Sequence, residues 1–125
     1  MAKTSPPKIE WLSSVEERRY PSAECYLSLV YPEERAREIV AALRDAPVTQ
    51  FQGKDIFRAS GLSLLGVSNS HVEKDRVKIR KGQSLSPILL VRDEQNGRVV
   101  IADGYHRLCA IYGYDEDSWI RCQIV

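Results

Sequence analysis

Residues 103–107 (DGYHR) place a carboxylate, a glycine, an imidazole and a guanidinium side by side. This set can bind phosphate, because Arg107 offers a planar fork of donors and Gly104 lets a ligand approach the backbone. His106 can donate a hydrogen bond or shuttle a proton, and Asp103 can act as a base or contact Mg²⁺. Spacing alone leaves a structural alternative equally open, in which Asp103 caps a helix and the other residues are solvated.

The flanking residues predict that this segment joins a strand to a helix. Two apolar runs rich in branched residues, Ile88–Val91 and Val99–Ala102, are typical of buried strands, and Asn96-Gly97 between them favours a hairpin turn. Residues 105–112 have helical spacing, with Gly113 placed to end the helix. The first N–H groups of a helix lack intrahelical partners and carry the positive end of its dipole, so an anion is favoured there.

A second group of polar residues lies on another predicted helix. Ser70 and Glu73 fit a capping box, which predicts a helix from His71 to Gly82. Three lysines recur along this helix at helical spacing and form one basic stripe: Lys74, Lys78 and Lys81. From spacing alone, such a stripe is typical of a solvated face.

The remaining elements are predicted by proline, glycine and apolar periodicity. Pro21 favours a helix start that continues to Tyr31, although a strand at Tyr26–Val30 remains the alternative. Pro32 fits the first turn of the next helix, which Pro47 ends and which carries an apolar stripe. The stripe consists of Ala36, Ile39, Val40 and Leu43. A brief helix is predicted at Ile56–Ser60, and two further strands are predicted at residues 48–51 and Trp119–Val125.

Length and composition set the outer limits. A chain of 125 residues is long enough for one ordinary domain, which we expect at residues 8–125 after a loose leader at 1–7. The 18 basic and 17 acidic residues give a formal net charge of +1, so no overall field favours nucleic acid or membrane. Three widely spaced cysteines, Cys25, Cys109 and Cys122, indicate reduced thiols and a cytoplasmic protein. We expect no structural zinc site, because the two histidines lie far apart in sequence and far from a pair of thiols. The expected fold is a single α+β domain, a small mixed sheet flanked by helices.

Residues 87–110 resemble the ParB/sulfiredoxin superfamily. Its members share a strand, a Gly-x-His-Arg or Gly-x-Arg-Arg turn, and a helix with a small residue three positions after the arginine, here Ala110. The resemblance covers about residues 70–125, and the Asp-Gly-x-His-Arg form is closest to the free-serine kinase branch. Sulfiredoxins carry a cysteine where this chain has Tyr105, so their nucleophile is missing.

The resemblance implies a bound nucleotide, ATP, ADP or CTP, with Mg²⁺ accompanying it. It assigns phosphate contacts to Gly104, His106 and Arg107, and we expect the backbone N–H groups of Gly104 and Tyr105 to bind phosphate oxygens and Asp103 and His106 to have catalytic roles. In the superfamily a helix in the place of residues 71–82 commonly borders the nucleotide pocket. This makes His71, Lys74 and Lys78 candidates for contacts with phosphate or a second substrate, with a solvated face as the alternative. The reaction would transfer a phosphoryl group to a small hydroxyl compound such as free serine, or hydrolyse the nucleotide. The alternative is a non-catalytic nucleic-acid or protein interaction module of ParB type, which the near-neutral charge disfavours.

Overall fold

A four-stranded sheet with helices on both faces organises the protein. The structure is a computed structural model that describes residues 6–66 and 69–125, so most of the leader expected at residues 1–7 lies outside it. The helices are α1 (Arg19–Val30), α2 (Glu33–Asp45), α3 (Gly53–Ser60), α4 (Ser70–Arg80) and α5 (Tyr105–Tyr114). The strands are β1 (Thr49–Gln52), β2 (Ile88–Asp93), β3 (Arg98–Asp103) and β4 (Trp119–Ile124).

The sheet has the order β1-β4-β2-β3 and is mixed. Strands β2 and β3 form the predicted antiparallel hairpin, β4 runs parallel to β2, and β1 pairs antiparallel to β4. Gly97 takes a positive φ of 63° in the hairpin turn, after a short 3₁₀ turn at Glu94–Asn96. The predicted α+β fold with a small mixed sheet is therefore confirmed.

Both faces of β2 are buried, which explains its uninterrupted apolar sequence. Ile88 and Leu90 pack in a cluster with residues of α3, α4 and α5. Leu89 and Val91 pack on the opposite face in a second cluster with residues of α1 and α2. Strand β2 thus lies between the two helical layers, whereas β3 forms an edge of the sheet. Near the end of β3, Ile101 packs in the first cluster and Ala102 in the second.

The two N-terminal helices agree with the sequence apart from their first residues. The predicted stripe of α2 is buried as expected. Helix α1 begins at Arg19, two residues before Pro21, which is tolerated because first-turn N–H groups have no intrahelical acceptor. The alternative strand at Tyr26–Val30 is wrong, and Pro32 precedes α2 as its N-cap instead of lying within its first turn.

Two other helix ends differ from the predictions for identifiable reasons. The capping box of Ser70 is wrong, because the Asn69 side chain accepts hydrogen bonds from the N–H groups of His71 at 3.0 Å and Val72 at 3.2 Å. Helix α5 continues through Gly113 to Tyr114. A side chain at Gly113 would lie 2.7 Å from a guanidinium nitrogen of Arg76, so this glycine permits close packing of α4 on α5. Within the described ranges, no helix is long and apolar enough to cross a membrane.

Candidate functional site

The junction between β3 and α5 leaves an uncapped helix start. Strand β3 ends at Asp103, and Gly104 occupies the N-cap position of α5 with φ 108°. No side chain caps the helix, so the structural alternative of Asp103 as the cap is not observed. The first-turn N–H groups, beginning with Tyr105, therefore have no capping side chain and can donate hydrogen bonds to an anion.

Gly104 is required by the core at this junction. A β-carbon there would lie 2.4 Å from Cγ2 of Ile88, 2.7 Å from its Cβ and 3.0 Å from Nη2 of Arg107. Its φ of 108° is also one that side-chain-bearing residues rarely adopt. The missing side chain therefore makes room for Ile88 and Arg107, and the sequence-based reason for this glycine, close approach of a ligand, is not needed to explain it.

Arg107 is buried, with only 5% of its surface exposed, and it ties the junction together. Its Nε donates to the carbonyl of Ser86 at 3.1 Å, and its Nη2 donates to the carbonyl of Pro87 at 3.3 Å and to Oδ2 of Asp103 at 2.9 Å. Burial lowers the pKa of Arg107, and the neighbouring Asp103 carboxylate opposes that shift. Only Nη1 donates to no described residue, so Nη1 is the part of this side chain that can be offered to a ligand.

A polar cavity of about 290 Å³, here called the basic cleft, opens above the start of α5. Helix α4 forms its opposite wall and contributes His71, Lys74 and Lys78. The junction contributes the other wall through four residues: Asp103, Gly104, His106 and Arg107. The two groups of residues that the sequence singled out separately are thus brought together in one cavity.

The basic cleft brings together the only two histidines of the chain. The ring centroids of His71 and His106 lie 4.8 Å apart with the planes inclined at 38°. His106 also lies beside the ring of Tyr105, with centroids 5.8 Å apart and planes nearly parallel. Both imidazoles line the cleft, so a ligand there can meet donors from α4 and α5 at once.

Sequence reasoning missed four residues of the cleft: Arg18, Arg19, Ser22 and Asp75. Arg19 is partly neutralised by Glu16, whose carboxylate lies 2.9 Å from its Nη2. Asp75 follows His71 by four residues on α4, so helical spacing was a signal that could have found it. No local signal pointed to Arg18, Arg19 and Ser22, because they lie more than 80 positions before Asp103 in the chain.

A second cavity of about 390 Å³, here called the apolar lobe, adjoins the basic cleft. Tyr26, Leu62 and Tyr105 line it together with Ile101. The two cavities share a common wall made of Ser22, Asp103, Gly104 and His106. The hydroxyl of Tyr105 donates to the carbonyl of Ser63, the residue after Leu62. The site as a whole is a groove with one charged end and one apolar, aromatic end.

Another cavity of the protein lies away from the predicted site residues. An apolar cavity of about 250 Å³ lies between α3 and the sheet and contains none of the predicted site residues. Residues 6–66 and 69–125 hold no cluster of three or more His, Cys, Asp or Glu side chains that could bind a metal by itself.

Comparisons of the chain with protein-family models, curated proteins and solved structures found no match.

Proposed function

We propose that this domain binds a nucleotide, with the phosphates in the basic cleft and the base in the apolar lobe. The observation that carries the proposal is the convergence of cationic side chains from three helices on the uncapped start of α5. Those side chains are Arg18 at the N-cap of α1, Arg19 of α1, Lys74 and Lys78 of α4, and Arg107 of α5. Cations and free backbone N–H groups in one concave site favour a multiply charged anion.

The shape of the groove supports a nucleotide over inorganic phosphate. Its apolar lobe offers Tyr26 and Tyr105, whose rings can pack against a planar base, beside a charged cleft that can hold the phosphates. The resemblance to the ParB/sulfiredoxin superfamily, whose turn binds nucleotide phosphates, supports the same assignment. ATP, ADP and CTP are the nucleotides that this resemblance suggests.

If the domain is an enzyme, the reaction that suits the site is phosphoryl transfer from the nucleotide to a small hydroxyl compound, such as free serine, or to water. The acceptor oxygen would bond to the terminal phosphorus while the bond from phosphorus to the bridging oxygen breaks. Lys74, Lys78 and Nη1 of Arg107 would stabilise the negative charge. His106 would position the reactants or carry a proton, and Asp103 would act mainly by orienting Arg107, since their ion pair occupies its carboxylate.

The cellular setting belongs to the same proposal. Cys25, Cys109 and Cys122 are all free thiols in the structure. Unpaired, widely spaced thiols are typical of a reducing compartment, so we propose that the protein works in the cytoplasm.

Calorimetric titration tests the proposal, with ATP, ADP, CTP and GTP added to the wild type and to Lys74→Gln and Lys78→Gln. Each substitution should weaken binding by about tenfold, the usual loss for a charge-assisted hydrogen bond. Lys81→Gln is the matched control, because Lys81 belongs to the same stripe but does not line the cleft. The proposal is wrong if the folded wild type binds no nucleotide, or if all three variants bind like the wild type. Salt-sensitive binding of duplex DNA that depends equally on all three lysines would instead support the interaction-module alternative.

A further inference from the structure

The basic cleft contains two carboxylates, and only one of them has a partner. Asp103 pairs with Arg107 at 2.9 Å, and its side chain is almost entirely buried. Asp75 also lines the cleft, but its side chain forms no ion pair or hydrogen bond with any residue in the described parts of the chain. Lys74 and Lys78 line the same cavity, but neither forms an ion pair with Asp75. Asp75 is therefore an unpaired negative charge in a cavity whose other free charges are positive.

An unpaired carboxylate works against the proposed ligand unless a cation accompanies it. Like charges repel, and the repulsion between Asp75 and phosphate oxygens is stronger in a partly enclosed cleft than in water. A hard divalent cation between the two groups reverses this effect, because both carboxylate and phosphate oxygens are its preferred ligands. Mg²⁺ commonly takes only one or two protein carboxylates, with substrate phosphates and water completing its shell. One carboxylate is therefore sufficient at such a site.

The position of Asp75 suits this role. It lies four residues after His71 and three before Lys78, so the three share the face of α4 that lines the cleft. Its negative charge acts on the Arg107 guanidinium and contributes to raising the pKa of that group, against the larger effect of burial. Asp75 thus faces the start of α5, where the phosphates are expected.

We propose that Asp75 binds the Mg²⁺ that accompanies the nucleotide phosphates in the basic cleft. This inference rests on the proposed nucleotide site and assigns the metal contact to Asp75 instead of Asp103, the residue that the sequence suggested. The ion pair with Arg107 occupies Asp103, whereas Asp75 has its oxygens available.

The test is calorimetric titration with ATP, once with Mg²⁺ and once with EDTA, of the wild type, Asp75→Asn and Asp55→Asn. Asp55 is the control, because it lies on α3 outside the cleft. In the wild type, Mg²⁺ should strengthen ATP binding by about tenfold or more. In Asp75→Asn that gain should fall to about twofold, while ATP without Mg²⁺ should bind about threefold more tightly because a repulsive charge is gone. Mn²⁺ bound with ATP, followed by electron paramagnetic resonance, should show the same loss.

The outcomes separate this inference from the function on which it rests. A full Mg²⁺ gain in Asp75→Asn would overturn the assignment, and so would weaker binding of that variant in EDTA, since neither fits a residue that repels phosphate and binds the metal. An equal change in Asp55→Asn would show a general charge effect and would also overturn it. Absence of ATP binding by the wild type in both conditions would refute the nucleotide proposal itself.

Discussion

Arg107 and Asp103 form a buried ion pair, 2.9 Å from Nη2 to Oδ2, across the junction where β3 becomes α5. The same guanidinium donates to the carbonyls of Ser86 and Pro87, which lead into β2. The pair therefore holds the start of α5 against the entrance of the central strand. In the proposed site, this anchoring sets the position of the first-turn N–H groups toward the phosphates.

Arg107→Met should destabilise the domain as well as any ligand site. The substitution nearly keeps the volume but leaves the Asp103 carboxylate and the Ser86 carbonyl without their donor. This loss should lower the free energy of unfolding by about 3 kcal/mol or more. Urea unfolding followed by circular dichroism measures this change. Arg98→Met is a matched control, because Arg98 pairs with Asp93 at the same 2.9 Å but is exposed, and its loss should barely alter the urea midpoint. Equal effects of the two substitutions would contradict a structural role of Arg107.

Gly104→Ala should destabilise the domain more than alanine at other glycines with positive φ. At Gly104 the new methyl group meets Ile88 and the backbone is strained, whereas at Gly61 and Gly97 nothing lies within 4 Å and only the backbone is affected. The strain alone costs about 1 kcal/mol, and the clash in the core adds about 1–3 kcal/mol. Thermal unfolding of the three alanine variants separates the two contributions. Similar losses of stability in all three variants would show that Ile88 moves away from the new methyl group without destabilising the core.

Tyr26→Ala should weaken ATP binding but leave tripolyphosphate binding unchanged. Tyr26 lines the apolar lobe and not the basic cleft, so it can contact only the base or sugar. Loss of one aromatic packing partner should cost about 1 kcal/mol, or about fivefold in affinity. Leu29→Ala is the control, because Leu29 is on the same helix, is 86% exposed and lines neither cavity. Equal weakening of ATP and tripolyphosphate would place the base elsewhere.

Cys122 should make the domain less stable in alkaline solution. Burial raises the pKa of its thiol to about 12, above the ordinary value of 9.0. Between these values the unfolded chain loses this proton and the folded protein retains it, so stability falls as pH rises through the window. The contribution is about 1.4 kcal/mol per pH unit. Urea unfolding between pH 8 and 10.5 should show a shallower decline in Cys122→Ala than in the wild type, and identical slopes would contradict the shift.

The sequence alone determined the elements whose signals are local. The apolar stripe of α2, the β2–β3 hairpin and the passage from strand to helix at Gly104 all follow from residues that are neighbours in the chain. Side-chain periodicity and turn chemistry depend on spacing of a few residues, which a sequence displays directly. Local signals also identified the segment 103–107 for possible chemistry, and the family resemblance added His71, Lys74 and Lys78. All of them lie in the groove.

Only the tertiary structure decided how those residues meet and which of them are available. Packing between distant segments brings α4 opposite the start of α5 and leaves Lys81 outside the cleft. The same packing lets Arg18, at the N-cap of α1, and Ser22 of α1 complete the cleft. Arg107 was expected to bind ligand, but it is buried and its hydrogen bonds hold the β3–α5 junction together. Of the two carboxylates that line the cleft, Asp103 is paired with Arg107 and Asp75 has no partner among the described residues. Burial and long-range contacts depend on what the rest of the chain places around a side chain, so spacing within one segment cannot determine them.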